Sequence, residues 1–251
     1  MGQLLYFMTD PGVPVTNNRN LRGAAHLNIL LLPTMKKAIL FGASGLIGSY
    51  LLHDLLNNGT YDLVTAITRK NLDIIHPKLK ELRGDYLSLP ELETEMVADD
   101  VFITLGTTQK NTPDQHQYYQ VEHDYPVAVA RMLKEKGATA IFIVSAVGAN
   151  TGSRTFYLRN KGETERDIIA LDFAHTHIFR PSLLLGERKE NRPTEKFFQK
   201  IFPALDPILR GGLKKFRGIE ARDVARAMNN AAKKQSGKLN IYHWQEIKDL
   251  L

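Results

Sequence analysis

Seven consecutive residues, Gly42-Ala43-Ser44-Gly45-Leu46-Ile47-Gly48, restrict what this chain can fold into more than any other feature. They follow a short apolar run, Ala38–Phe41, and lead into Leu46–Leu56, whose apolar residues recur at helical spacing. An apolar run without polar alternation is what a strand buried on both faces looks like. Glycines placed every third residue in the turn between such a strand and a helix have separate steric tasks. Gly42 permits the tight turn, Gly45 leaves the backbone open to close approach, and Gly48 lets the helix lie against the strand. This start predicts an α/β chain with a doubly wound, mostly parallel sheet.

The remainder keeps the same rhythm. Leu63–Thr68 predicts a second strand, and a weaker third ends near Gly84-Asp85. Leu89–Val97, with Pro90 near its start, suits a short helix. Val101–Leu105 predicts a strand, Gln117–Lys136 a long helix closed by Gly137, and Ala140–Val144 another strand. Phe156–Leu171 reads as a helix, Thr176–Phe179 as a strand, and Ala221–Lys234 as a helix with Val224, Ala225 and Met228 on its apolar face. Such alternation signals right-handed βαβ crossovers. Ligands of these sheets bind at the carboxyl ends of the strands, beside the point where strand order reverses.

Composition narrows the classes of function. The chain has 251 residues and no Cys, which excludes disulfides, thiol nucleophiles and Cys-ligated metals and suits a reducing cytoplasm, the expected location. The net charge of +6 is scattered in pairs such as Lys36-Lys37, Arg69-Lys70 and Lys214-Lys215. It forms no basic stripe, so no nucleic-acid partner is expected. No apolar run approaches the roughly 20 residues that span a bilayer, so no membrane partner is expected either. The eight His residues lack metal-ligand spacing; His175 and His177 read as structural, and Tyr242 and Trp244 as packing anchors.

Residues 1–34 mix Gly, Pro, Asn and short apolar pieces without a sustained period. Met35-Lys36-Lys37 runs straight into the first strand and reads as a natural start. Residues 1–34 are therefore expected to be a disordered extension or a mis-assigned start, and 35–251 the working domain. A transit peptide fits less well, because Arg19 and Arg22 are the only Arg or Lys residues there and Ser is absent.

The helix after the glycine turn offers free N–H groups and a partial positive charge to phosphates. The spacing is G-x-x-G-x-x-G, and no Gly-Lys-Ser/Thr follows to make a P-loop. Gly42, Ser44, Gly45, Leu46, Ile47 and Gly48 are the candidates to hold the diphosphate of a dinucleotide. An NAD site usually carries Asp or Glu at the end of the second strand, for the ribose 2′-OH. Here that position reads Thr68-Arg69-Lys70. Arg69 suits paired, charge-assisted bonds to a 2′-phosphate, and Lys70 adds a point charge. NADP(H) is therefore expected in preference to NAD(H). Asp85, after the third strand, is a candidate contact for adenine. Leu105-Gly106-Thr107, after the fourth, is where a small residue would let the cofactor pass.

Tyr157-Leu158-Arg159-Asn160-Lys161 places Tyr and Lys four apart, on one face of a helix. A free Tyr phenol, with a pKa of about 10, is a poor acid/base near neutrality. A nearby ammonium favours the phenolate, so Lys161 is expected to lower the pKa of Tyr157. Lys161 could also hold ribose hydroxyls. Alone the spacing is common by chance; its place after the fifth strand gives it weight.

Together Gly42–Gly48, Leu105–Thr108, Ser145–Asn150, Tyr157–Lys161 and Arg180-Pro181-Ser182-Leu183-Leu184-Leu185-Gly186 give this chain a pattern that resembles the atypical short-chain dehydrogenases/reductases. Within them it is similar to the Tat-interacting-protein-type oxidoreductases and their small bacterial relatives. The resemblance covers essentially all of 35–251. It implies a Rossmann domain with a small C-terminal substrate region, NADP(H) as cofactor, Tyr157 and Lys161 as catalytic pair, and Arg180-Pro181 beside the nicotinamide. It also implies that Ile219–Val224 packs the C-terminal part onto the core. One departure stands out: the hydroxyl that orients a carbonyl falls at Ala146, leaving Ser145, one residue earlier, as its substitute. Two functions follow: an oxidoreductase acting on a small carbonyl or hydroxyl substrate, or an NADP(H)-binding redox sensor with little turnover. The intact Tyr–Lys pair favours the first and Ala146 the second. Arg188 and Arg192 are candidate contacts for an acidic substrate, with a solvated loop as the simpler reading, and the assembly is left between monomer and homodimer.

Overall fold

A computed structural model describes residues 35–85, 87–186 and 209–251. The expectations for residues 1–34, Arg188 and Arg192 lie outside the described residues. Nine strands are described: β1 (Lys36–Phe41), β2 (Tyr61–Thr68), β3 (Leu79–Arg83), β4 (Asp100–Ile103), β5 (Ala140–Val144), β6 (His175–Phe179), β7 (Leu184–Leu185), β8 (Ile219–Glu220) and β9 (Leu239–Tyr242). The described helices are α1 (Leu46–Leu56), α2 (Leu89–Leu92), α3 (Gln115–Tyr119), α4 (Tyr125–Glu135), α5 (Phe156–Ala170), α6 (Ala221–Lys234) and α7 (Trp244–Asp249).

Seven strands form one sheet in the order β3-β2-β1-β4-β5-β6-β9, with every pairing parallel. The order reverses between β1 and β4, where Phe41 lies opposite Ile103. This is the expected doubly wound Rossmann architecture. Residues of β1 alternate between two cores. Ala38 and Leu40 pack with α1 and α6, whereas Ile39 and Phe41 pack with α4 and α5. Both layers are dry, as a parallel sheet covered on two faces requires. Ile219, Ala221 and Val224 are buried, so the segment around β8 joins the C-terminal part to the core.

The expected long helix Gln117–Lys136 is three pieces. A π-helical turn, Gln120–Asp124, separates α3 from α4. Pro126 has no N–H to donate back to the carbonyl of Glu122, so the ladder loses a rung there. That carbonyl instead accepts Thr164 Oγ1 of α5 at 3.0 Å. β4 stops at Ile103 rather than Leu105, because Thr104 turns its hydroxyl onto Phe41 O (3.0 Å) and Gly42 O (3.2 Å). The expected helix Leu89–Val97 is α2 followed by a 3-10 turn, Glu93–Glu95.

The C-terminal strand β9 and helix α7 carry no periodic signal long enough to read from sequence. They are held by the two residues expected as anchors. Tyr242 stacks on Phe179 at 4.7 Å, and Trp244 Nε1 donates to Gly218 O at 3.0 Å. His177 lies parallel to Phe142 (4.5 Å) and shares a 2.8 Å hydrogen bond with the Tyr242 hydroxyl. Burial, and then the neighbouring His175, hold its pKa down to about 4. The unfolded chain takes up this proton near pH 6.5 and the native one only near 4. Its contribution is therefore complete at neutral pH and falls as pH drops from about 6.5 to about 4, by on the order of 3 kcal/mol. Urea unfolding of the wild type across that range should show the loss, and His177→Phe should flatten it.

Candidate functional site

The glycine turn stands at the switch point with no room for side chains. Gly42 has φ +92°, and a Cβ there would lie 2.8 Å from Thr104 Oγ1. A Cβ on Gly48 would lie 2.0 Å from Gly42 O. Gly45 is the N-cap of α1, and no side chain caps that helix. The amides of its first turn thus keep the anion-binding capacity of a helix start.

Around this turn lie the other expected cofactor contacts. Arg69 and Lys70 follow β2 directly and are exposed. Asp85 is exposed and its Oδ1 accepts the amides of Leu87 (3.0 Å) and Ser88 (3.3 Å), shaping its own loop. Past β4, Leu105 is half-buried and Gly106 exposed. A Cβ on Gly106 would meet only Glu122 Oε1, at 3.4 Å.

Tyr157 and Lys161 lie on α5, the first 41% exposed and the second 7%. Sequence reasoning missed the residue that joins Lys161 to the loop after β4. Glu122, 2% exposed on the π-helical turn, places Oε2 2.6 Å from Lys161 Nζ. Its Oε1 accepts the amide of Thr107, beyond β4. No sequence signal marks Glu122, which stands among Gln120, His123 and Asp124. Burial opposes the charge on Lys161, but Glu122, Tyr157 and Glu165 outweigh it and raise its pKa.

Lys161 lowers the pKa of Tyr157, as expected, but burial outweighs it. Desolvation of the ring in its cleft raises that pKa, Lys161 pulls it down, and Glu122 pushes it up again, with a net rise. Burial counts for most, and Lys161 for more than Glu122.

Ser145 is buried, and its Oγ has no hydrogen-bond partner among the described residues. Ala146 beside it is buried as well. Arg180 does not point free into a cleft. Its guanidinium grips Glu165 of α5 through Nε–Oε1 (2.9 Å) and Nη2–Oε2 (2.5 Å). Pro181 O accepts the amide of Val147, tying the strand end to the loop after β5. α5 is pressed against that loop: a Cβ on Gly162 would lie 2.4 Å from the carbonyl carbon of Asn150.

A parallel sheet that reverses order at a glycine turn, with a Tyr–Lys helix after β5, defines a Rossmann protein built to bind a dinucleotide. Residues 38–243 match the NAD dependent epimerase/dehydratase family, and the chain belongs to that family. It is 40% identical over 174 residues to the mitochondrial protein FMP52 of Kluyveromyces lactis, covering 65% of this chain and 75% of that one. It is 33% identical over 207 residues to the mitochondrial protein fmp52 of Aspergillus fumigatus, covering 80% and 88%. Its fold is similar to that of the Bordetella bronchiseptica enzyme WbmH in complex with NAD+, with a TM-score of 0.63, 20% identity, and 84% and 75% of the two chains covered. The cytoplasmic location expected from the missing Cys is overturned by these relatives, which are mitochondrial proteins. Lack of Cys reports the redox chemistry a chain tolerates, not its address.

The two kinds of glycine should respond differently to one methyl group. Gly48→Ala forces a clash with backbone and should cost about 3 kcal/mol, the upper end of overpacking. Gly106→Ala meets only ordinary contact and should unfold within about 0.5 kcal/mol of wild type. Paired denaturant titrations measure both.

Proposed function

We propose that the protein is an NADP(H)-dependent oxidoreductase acting on a small carbonyl or hydroxyl compound at Tyr157. One observation carries the reading: the loop 104–107 contacts the glycine turn at one end and, through Glu122, the Tyr–Lys helix at the other. Gly42 O accepts from Thr104, Thr107 N donates to Glu122, and Glu122 pairs with Lys161. A dinucleotide lying along the strand ends would have its diphosphate at one end of this loop and its nicotinamide at the other.

In this reading the diphosphate rests on amides from Ser44 to Ile47, between Gly42 and Gly48. Arg69 and Lys70 take the 2′-phosphate, and Asp85 lies on the adenine side. Leu105-Gly106-Thr107 form the wall that the cofactor crosses, where the absent side chain of Gly106 leaves space. Arg180-Pro181 close the nicotinamide end, Arg180 by holding α5 through Glu165. Lys161 keeps its remaining N–H groups for ribose hydroxyls. The nicotinamide supplies or accepts hydride. Tyr157 gives a proton to the substrate oxygen, or takes one in reverse. Ser145 Oγ, buried and unpartnered among the described residues, orients that oxygen where Ala146 carries no hydroxyl. The likeness to the Tat-interacting-protein-type branch supports the same assignment, and the relatives support a mitochondrial location.

Ala146 favours a second reading, a cofactor-binding regulator with little turnover. Fluorescence titration and a panel of aldehydes, ketones, quinones and nucleotide-sugars separate the two. Turnover of any of them, abolished by Tyr157→Phe, supports the enzyme; tight NADPH binding with no oxidation above background selects the regulator. NADPH should bind at least about tenfold more tightly than NADH, and Arg69→Ala should cost NADPH about 10- to 100-fold while leaving NADH unchanged. Equal loss for both cofactors would remove Arg69 from the phosphate site, and no affinity for either would end both readings.

A further inference from the structure

We propose that His123 is a positioning residue that works as a proton-operated clasp: with both ring nitrogens protonated it pins the π-helical turn to α5, and so steadies Lys161 for a bound dinucleotide. The inference rests on the dinucleotide reading of the site and adds a control to it.

The turn, Gln120–Asp124, meets α5 along one row of side chains. Lys161 Nζ lies 2.6 Å from Glu122 Oε2, Thr164 Oγ1 donates to Glu122 O at 3.0 Å, and Asp167 Oδ2 lies 2.9 Å from His123 Nε2. Partners three residues apart follow an inclined row along a helix. On the turn, the same contacts come from two adjacent residues, Glu122 and His123. A single peptide unit therefore joins the clasp to the carboxylate that holds the ammonium. π turns of this kind frequently sit at functional sites.

His123 is 9% exposed, and its other nitrogen, Nδ1, lies 2.8 Å from Asp124 Oδ1. Each ring nitrogen thus faces a carboxylate oxygen. An ionised carboxylate only accepts, a neutral imidazole has one N–H, and only the imidazolium has two. Both bonds form together only on the protonated ring. Without the second proton a lone pair faces one carboxylate, and the two acids compete for the N–H that remains. Asp167 cannot supply the missing proton. Arg166, and after it His123, hold its carboxyl down to about 2, against burial.

Other ionisable groups face the ring from each element packed on it. Tyr119 of α3 stacks on it at 4.5 Å, with Glu163 of α5 beside the Tyr119 hydroxyl. Arg166 of α5 shares Asp167 with it, through Nε–Oδ1 (2.7 Å) and Nη2–Oδ2 (2.9 Å). Glu93, Arg131 and Glu135 line the same groove as His123, a space of about 640 Å³ beside α4. Glu122 turns the other way, to Lys161 and Thr107. A dinucleotide that needs Lys161 in place binds the clasped form better. By linkage, its affinity falls as the ring loses a proton with rising pH.

The test uses the purified full chain. Without cofactor, nitrogen NMR of histidine-labelled protein follows the ring between about pH 5 and 9, the His123 signals being those lost in His123→Gln. Both ring nitrogens should carry protons at the acid end and one at the alkaline end. Amide-exchange protection of Tyr125, whose N–H bonds to Gln120 O, should fall about 3-fold or more across the same midpoint. The fall should be absent in His123→Gln, which cannot titrate, and smaller in Asp167→Asn. NADPH affinity, taken relative to His123→Gln at each pH so that ionisation of the 2′-phosphate cancels, should drop about 3- to 10-fold over that step. A ring that never carries two protons in this range, a protection that ignores its midpoint, or NADPH affinities that run parallel in wild type and His123→Gln would each overturn the proposal. A protein that binds neither NADPH nor NADH defeats the dinucleotide reading, while the exchange measurement, which uses no cofactor, still decides the clasp.

Discussion

The turn after β1 presses on the end of β4 with nothing but backbone and one hydroxyl between them. A Cβ on Gly48 would fall on the carbonyl of Gly42, and one on Gly42 would fall on Thr104. Thr104 in turn fastens the two strand ends, its amide and hydroxyl both bonding to Phe41 O. This contact fixes where strand order reverses. Loops leaving a parallel sheet on either side of that point diverge, and the opening between them is where ligands settle. The steric demand at these two glycines is thus also the demand that creates the cleft.

On the far side of the cleft, precision comes from polar contacts. Among the contacts that hold α5 are Gly162 against Asn150, Thr164 to the carbonyl that Pro126 frees, and Glu165 to Arg180. Each contact reaches a different segment, so the helix cannot slide or rotate without breaking one. Tyr157 lies in the first turn of this helix, and its position is inherited from all three. An acid whose oxygen must meet a reacting atom within hydrogen-bond reach gains from a frame of this kind.

Much of the sheet was legible because buried parallel strands and Gly-rich turns leave strong local signals. β5, α1 and α6 run over the residues read from the apolar pattern, α1 starting at Leu46 directly after Gly45. Tyr157 and Lys161 were legible through their spacing and their place after β5. What escaped depends on pairing across the chain. The break in the long helix arises from Pro126 acting four residues back on a carbonyl that Thr164 satisfies from another helix. β9 and α7 form because β6 offers an edge and Tyr242 a stack, not because their own sequence insists on it. Glu122 looks like one more surface acid of an amphipathic helix. Only the fold shows that its face turns inward to Lys161.

That inward face has a thermodynamic implication. A buried ion pair is a poor source of stability, since desolvation consumes most of the Coulomb gain and apolar residues of equal volume often do as well. Here Glu122–Lys161 is buried at both partners, whereas Glu165–Arg180 is buried at the carboxylate and half-buried at the guanidinium. Removing Lys161 would leave Glu122 a bare buried charge and cost about 3–5 kcal/mol, so that pair is fragile as well as unprofitable. What the pairs supply is geometry: each ties α5 to a different segment, Lys161 through Glu122 to the loop after β4 and Glu165 through Arg180 to the end of β6, so the helix that carries Tyr157 is fixed against both sides of the strand-end opening.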